Sequence, residues 1–135
     1  MRIVLDTNVL ISGIFFAGYP YEILDAWRQG RLEIATSPGI LEEYSRVALE
    51  LSAEFQEIDP HAILRLIMIE SHLTAATPLA RQVCDDPDDD KFLACAIASG
   101  ARIIVSGDKA LRRVSGYQGV SVLSPREFAT RHLRG

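Results

Sequence analysis

The sequence predicts an α/β fold, a three-layer α/β/α sandwich around a five-stranded parallel sheet. Three observations carry that expectation. Short apolar runs alternate with longer helical patterns along the whole chain, which is the sequence form of parallel strands wrapped by helices. The helix starts and stops have local causes in capping and left-handed residues. The strands differ in polarity, and that difference sorts them into central and edge positions.

Taken in order, the first strand is Arg2 to Leu5, followed by the apolar stretch Val9 to Ala17 and a helix over Pro20 to Gln29 that stops at Gly30. Leu32 to Ala35 is the second strand. Ser37-Pro38, Asp59-Pro60 and Ser124-Pro125 each set a capping side chain before a proline suited to the first helical turn. They open helices over Pro38 to Leu51, Pro60 to Glu70 and Pro125 to Leu133, the last with a capping box between Ser124 and Glu127. A weak third strand lies near Leu73 to Ala76, a helix runs from Asp88 to Ser99, and Gly100 suits the left-handed stop. Arg102 to Val105 and Val120 to Leu123 are the remaining strands, with a short helix after Asp108 between them.

Ile3-Val4-Leu5 and Ile103-Ile104-Val105 are continuous apolar runs, as strands covered on both faces should be. Leu32-Glu33-Ile34 and Val120-Ser121-Val122 alternate, and the strand near Leu73 is feeble. Strands one and four are therefore central neighbours, giving the order 3-2-1-4-5. Right-handed crossovers then send the helices after them to opposite faces and open a crevice at the carboxyl ends of those two strands.

With 135 residues, 48% of them hydrophobic and 24% charged, the chain is expected to be one domain spanning 1–135. Asp6 interrupts the first apolar run and Ser12 and Gly13 the longest later one, which falls short of the roughly 18 residues of a membrane span. A cytoplasmic protein is expected. Cys84, Cys95, His61, His72 and His132 have no zinc-ligand spacing, and Cys95 reads as a small core residue. The net charge of −4 disfavours indiscriminate coating of nucleic acid, but it is unevenly spread: residues 1–101 carry −9 and residues 102–135 carry +5. The basic end is either a solvated helix or a face for phosphates.

The crevice is where the acidic residues collect. Strand one ends in Leu5-Asp6-Thr7-Asn8 and strand four in Val105-Ser106-Gly107-Asp108, so two aspartates face it. Before the fourth strand, Asp85-Asp86-Pro87-Asp88-Asp89-Asp90 places five acids in six positions at a helix start. Asp90 shares a stripe with Leu93 and Ile97, and Asp89 with Leu93 and Ala96, so periodicity does not choose between them. Asp85, Asp86 and Asp88 are explained by capping and the helix dipole. In the helix after strand two, Glu42 and Glu43 flank the apolar face of Ile40, Leu41, Tyr44, Val47, Ala48 and Leu51, and either can reach the sheet end. Carboxylates converging from separate segments repel unless a cation neutralises them. Oxygen ligands without His or Cys suit Mg²⁺ or Mn²⁺, and such ions serve phosphoryl chemistry.

Asp6-Thr7-Asn8-Val9-Leu10-Ile11-Ser12, Leu41-Glu42-Glu43-Tyr44, Asp88-Asp89-Asp90-Lys91-Phe92-Leu93-Ala94 and Val105-Ser106-Gly107-Asp108-Lys109-Ala110-Leu111 together resemble the four acidic motifs of the PIN-domain ribonucleases. The nearest likeness is to the bacterial and archaeal toxins of toxin-antitoxin pairs. The resemblance implies a Rossmann-like sandwich with the strand order argued above. It also implies a metal-binding quartet of Asp6, Glu43, Asp90 and Asp108, with Thr7, Asn8 and Ser106 as polar neighbours. The implied chemistry is metal-dependent hydrolysis of single-stranded RNA with no covalent enzyme intermediate. The implied partners are RNA, a small antitoxin protein and a second copy of the chain, with Phe15, Phe16, Tyr19 and Tyr21 as candidate contacts. Where close relatives often carry a basic Arg-Pro-Lys stretch, this chain reads Leu51-Ser52-Ala53-Glu54-Phe55.

The only two lysines, Lys91 and Lys109, each follow a proposed ligand, and they are candidates to hold RNA phosphates or simply to relieve neighbouring charge. Two alternatives stand beside the ribonuclease. A haloacid dehalogenase-like phosphatase would use Asp6 as a covalent nucleophile. Its usual second and later acids are Asn8 and Arg112 here. A non-catalytic RNA- or protein-binding module is the other, although all four acidic positions are filled.

Overall fold

Residues 1–134 are described by a computed structural model. Ile3, Val4 and Leu5 in β1 (Arg2–Leu5) and Ile104 and Val105 in β4 (Ile103–Val105) are at most 1% exposed, because these strands lie in the middle of the sheet. Around them stand β2 (Glu33–Thr36), β3 (His72–Leu73) and β5 (Ser121–Leu123), all parallel, in the order β3-β2-β1-β4-β5. The predicted order is therefore the observed one. The third strand is shorter and earlier than expected: two exposed residues pair with Ala35 and Thr36, and the Thr74 amide donates to the Thr36 carbonyl at 2.9 Å.

The helices are α1 (Thr7–Phe15), α2 (Tyr19–Arg28), α3 (Pro38–Ser52), α4 (His61–Glu70), α5 (Asp90–Ser99), α6 (Lys109–Arg112) and α7 (Pro125–Phe128). The sequence reading had no helix at α1. Thr7, Val9, Leu10, Ile11, Gly13 and Phe15 are all buried there, so burial extends around the helix and leaves little periodicity to read. Gly13 permits its close approach to α2, since a Cβ there would stand 2.8 Å from the Pro20 carbonyl oxygen. The expected helix from Asp88 divides into a 3₁₀ turn over Pro87–Asp89 and α5 proper. The expected last helix likewise divides into α7 and a π turn over Ala129–Leu133.

The caps predicted at Ser37 and Ser124 are in place, whereas Pro60 rather than Asp59 is the capping residue of α4 and makes no side-chain cap. The Ser37 hydroxyl accepts from the Ile40 amide, and Ser124 and Glu127 form the reciprocal box at 3.1 and 3.2 Å. Asp59 accepts from the His61 amide at 2.9 Å, which starts α4 one residue later than expected. Gly100 closes α5 with φ of 77°, a conformation costly for other residues. Among the described residues no single helix is long and apolar enough to cross a membrane; α1 and α2 meet that test only together, bent by 87°, with apolar faces in the core.

Candidate active site

The site is assembled where β1 and β4 end in register, with Leu5 opposite Val105. The ladder continues one step, as the Asp6 amide donates to the Val105 carbonyl at 3.0 Å and the Ser106 amide to Leu123 at 2.9 Å. Asp6 also begins α1, through its carbonyl, which accepts from Val9 and Leu10. Its side chain makes no capping hydrogen bond, unlike most aspartates at such a position. The carboxylate instead accepts the Ser106 hydroxyl at 2.7 Å. That hydroxyl accepts in turn from the Asp108 amide at 3.0 Å, so Ser106 fixes both acidic strand ends.

Glu43 reaches the same place from α3. Buried Tyr44 donates its phenol to the Leu5 carbonyl, tying α3 to the end of β1, and burial drives the phenol's pKa well up. The adjacent Glu43 accepts the Thr7 hydroxyl on Oε2 and the Lys91 ammonium on Oε1, the latter at 2.6 Å. Glu42 lies on the exposed side and pairs with Arg46 at 3.3 Å.

In the third acidic segment the two candidate aspartates are held differently. Asp90 turns its carboxylate onto the loop before it, accepting from the Cys84 amide at 2.8 Å and the Val83 amide at 3.1 Å. Burial pushes its pKa up, but the Cys84 and Val83 donors outweigh burial and hold it below the usual carboxylate value. Asp89 is the residue placed within electrostatic reach of the crevice. Burial, then the charges of Asp6, Asp86, Asp108 and Asp88, push it up to about 6. Burial likewise raises Asp6, opposed by Ser106 and the Thr7 amide and reinforced by Asp108 and Glu43. The sequence left Asp89 and Asp90 equally placed on the helix stripe; the loop amides that separate them are a tertiary feature no periodicity reports.

Other acids have structural occupations. Asp86 caps the 3₁₀ turn through the Asp88 amide at 2.9 Å, and Asp85 pairs with Arg113 at 3.1 Å. Exposed Asp108 caps α6 through the Ala110 amide at 2.9 Å, and its charge is felt by Asp6 and Asp89. Asn8 and Lys109 are exposed, whereas Lys91 is spent on Glu43 and on Asp88 at 2.9 Å. The Asp88 carboxyl is lowered by Lys91 first. Cys84 and Cys95 are buried free thiols with burial pushing each up to about 12, which makes them inert packing residues.

Beside the acids opens a cavity of about 660 Å³ between the start of α3, the loop after β3 and the start of α5. Its walls include Pro38, Ala76, Pro78 and Leu79, and its charged residues are Arg81, Asp88, Asp90 and Lys91, whereas Asp6, Glu43, Asp89 and Asp108 lie outside its lining. Of the candidate contact aromatics, Phe15 is buried while Phe16 and Tyr21 are exposed, and Phe16 packs edge-on to Phe55 at 5.4 Å between centroids.

Among the described residues no three His, Cys, Asp or Glu side chains already stand in metal-binding geometry. The donor chemistry nevertheless fits a hard divalent cation. Asp6, Glu43, Asp89 and Asp108 offer only carboxylate oxygen, and both the burial that chiefly raises Asp6 and Asp89 and the neighbouring negative charges that add to it are offset by a cation.

A parallel α/β sheet carrying an acidic crevice at the carboxyl ends of its central strands is a nuclease-type fold. The comparisons with known proteins agree. The PIN domain family model matches residues 2–110, and the chain belongs to the PIN-domain family. It is also 32% identical, over 139 aligned positions, to an uncharacterized protein of Methanocaldococcus jannaschii, covering 95% of this chain and 89% of that protein. Family membership supports a nuclease, hence a hydrolase, and PIN domains generally bind divalent metals.

Proposed function

We propose that the protein is a Mg²⁺- or Mn²⁺-dependent endoribonuclease and the toxin of a toxin-antitoxin pair. The observation that carries the nuclease reading is the gathering of Asp6, Glu43 and Asp108 through Ser106 and Thr7 at the ends of β1 and β4, with Asp89 near enough to feel the charges of Asp6 and Asp108. These residues would hold the metal, with Asp89 taking the place expected of Asp90. Bound there, the ion would polarise a phosphodiester and lower the pKa of the attacking water.

The chain's own residues supply the orientation. Ser106 holds the Asp6 carboxylate and the Asp108 backbone in fixed relation, and Thr7 holds Glu43. The cavity lined by Asp90, Lys91 and exposed Arg81 gives an RNA strand room at the start of α5, with Arg81 available to a phosphate. The phosphatase alternative draws no support from the family match. The toxin role rests on the motif resemblance, as do the antitoxin and the homodimer.

The test is incubation of purified protein with total cellular RNA and Mn²⁺, followed by sequencing of the new ends. Discrete ends that vanish with chelator and in Asp6→Asn and Asp89→Asn, but persist in Asp90→Asn, are the expected result. Ends lost only in Asp90→Asn would return the third ligand to Asp90, and no ends at all would favour a non-catalytic module. Growth arrest on expression, relieved by a small protein encoded alongside, tests the toxin role.

A further inference from the structure

We infer that Lys91 is a tethered counter-cation, which neutralises Glu43 in the metal-free protein and is displaced from it when the crevice takes up a divalent ion. The inference rests on the metal-binding reading above. Its basis is the way Glu43 is held: one carboxylate oxygen receives the Thr7 hydroxyl and the other receives the Lys91 ammonium at 2.6 Å. The pair is largely withdrawn from solvent, with side chains 22% and 14% exposed, so water screens it less than a surface pair.

An ammonium has three donors and no lone pair, so on Glu43 Oε1 it fills an acceptor site without offering a ligand of its own. A divalent ion that drew on Glu43 would also be repelled by the ammonium charge at that carboxylate. The other crevice acids have no such partner. Asp6 is bound by a neutral hydroxyl, Asp108 by a backbone amide, and Asp89 carries unrelieved repulsion. Glu43 is thus the crevice acid already paired with a cation, and Lys91 is the cation that a divalent ion would displace.

The structure also provides the place to which it leaves. Asp88, one turn back and 66% exposed, already holds the ammonium at 2.9 Å. The lysine stem passes over Gly39, where a Cβ would stand 4.0 Å from Cδ, and Gly39, Asp88 and Lys91 all line the cavity. Displaced from Glu43 and retained by Asp88, the ammonium stands at the mouth of the space assigned to substrate. Lys91 is in this sense a positioning residue, coupling metal uptake to the charge of the adjoining cavity.

The chain has two lysines, which makes the test direct. Wild-type protein is treated with an amine-acylating reagent while Mg²⁺ is titrated, and modification at Lys91 and Lys109 is followed by mass spectrometry. Acylation of Lys91 should accelerate about fivefold or more on Mg²⁺ saturation, the factor an ion pair worth roughly 1 kcal/mol imposes, with Lys109 as internal reference. Calorimetry with Mn²⁺ should show Lys91→Gln binding tighter than wild type by a similar factor, and Lys91→Arg close to wild type. Tighter binding by Lys91→Gln with Lys91 equally protected in the presence and absence of Mg²⁺ would reduce its role to charge relief and overturn the exchange. Metal binding by wild type without deprotection overturns this inference alone. A wild type that binds neither ion overturns it together with the metal-binding reading of the crevice.

Discussion

Asp90 accepts two loop amides and is held below the usual carboxylate value, whereas burial and the charges of Asp6, Asp86, Asp108 and Asp88 push its neighbour Asp89 up to about 6. Truncation should separate the two. Asp90→Ala leaves the Val83 and Cys84 amides without their acceptor and should cost about 1–3 kcal/mol by urea denaturation, with or without metal. Asp89→Ala should leave metal-free stability equal or higher and abolish most Mn²⁺ binding by calorimetry. The same contrast sets a pH dependence. A carboxyl raised from 3.8 to about 6 in the folded state favours folding fully below the lower value and withdraws that favour as pH rises through the upper one. Asp6 is raised too and acts in the same direction. Metal-free protein should therefore melt at a higher temperature at about pH 5 than at about pH 7. Asp89→Asn should flatten the difference, and saturating Mg²⁺ should reduce it by stabilising the charged forms. A melting temperature that rises with pH over this window in metal-free wild type would contradict the account.

At the scale of elements, the α1–α2 hairpin places Asp6 at the sheet end with one helix packed tightly on the next, and Gly13 is the residue that lets them meet. Gly13→Ala sets a Cβ 2.8 Å from a backbone oxygen, so the helices must shift. A loss of about 1–3 kcal/mol in chemical denaturation is expected, against about 1 kcal/mol for Ser124→Ala at the capping box of α7. Gly13→Ala should also weaken Mn²⁺ binding. The strands, their order and most helix starts were legible because each is written locally, in a continuous apolar run, an alternation or a capping residue before proline. Helix α1 was not legible, because burial all round erases the periodicity that betrays a helix. The site divides the same way. Asp6 and Asp108 follow from strand ends, and Glu43 from a motif, but the hold of the Val83 and Cys84 amides on Asp90 is a tertiary contact, and the engagement of Lys91 depends on α3 meeting α5.

For the whole molecule, the contrast between a chain carrying −9 over residues 1–101 and +5 over residues 102–135 suggests a basic face for nucleic acid, but folding spends much of that charge. Arg113 pairs with Asp85, Arg112 and Arg131 with Glu127, and Arg134 with Glu22. Near the crevice this leaves few cations for a substrate. Arg81 on the cavity wall and Lys109 beside Asp108 are exposed and form no ion pair among the described residues, and Lys91 joins them only if released from Glu43. On the ribonuclease reading, long-range attraction contributes little to RNA binding, and affinity comes chiefly from contacts in the cavity. The salt dependence measures this. With about two phosphates neutralised on a single strand, the slope of log affinity against log salt should be roughly −1.4, shallow for a nucleic-acid-binding protein. Fluorescence anisotropy with a labelled RNA oligonucleotide and the Asp6→Asn protein, in Mg²⁺, reads the slope without cleavage. Arg81→Ala and Lys109→Ala should each flatten it by about 0.7, and Arg134→Ala should leave it unchanged. A steep slope that Arg134→Ala and Arg131→Ala reduce would mean that the C-terminal arginines abandon their internal partners for RNA, and that the basic end of the chain is the binding face after all.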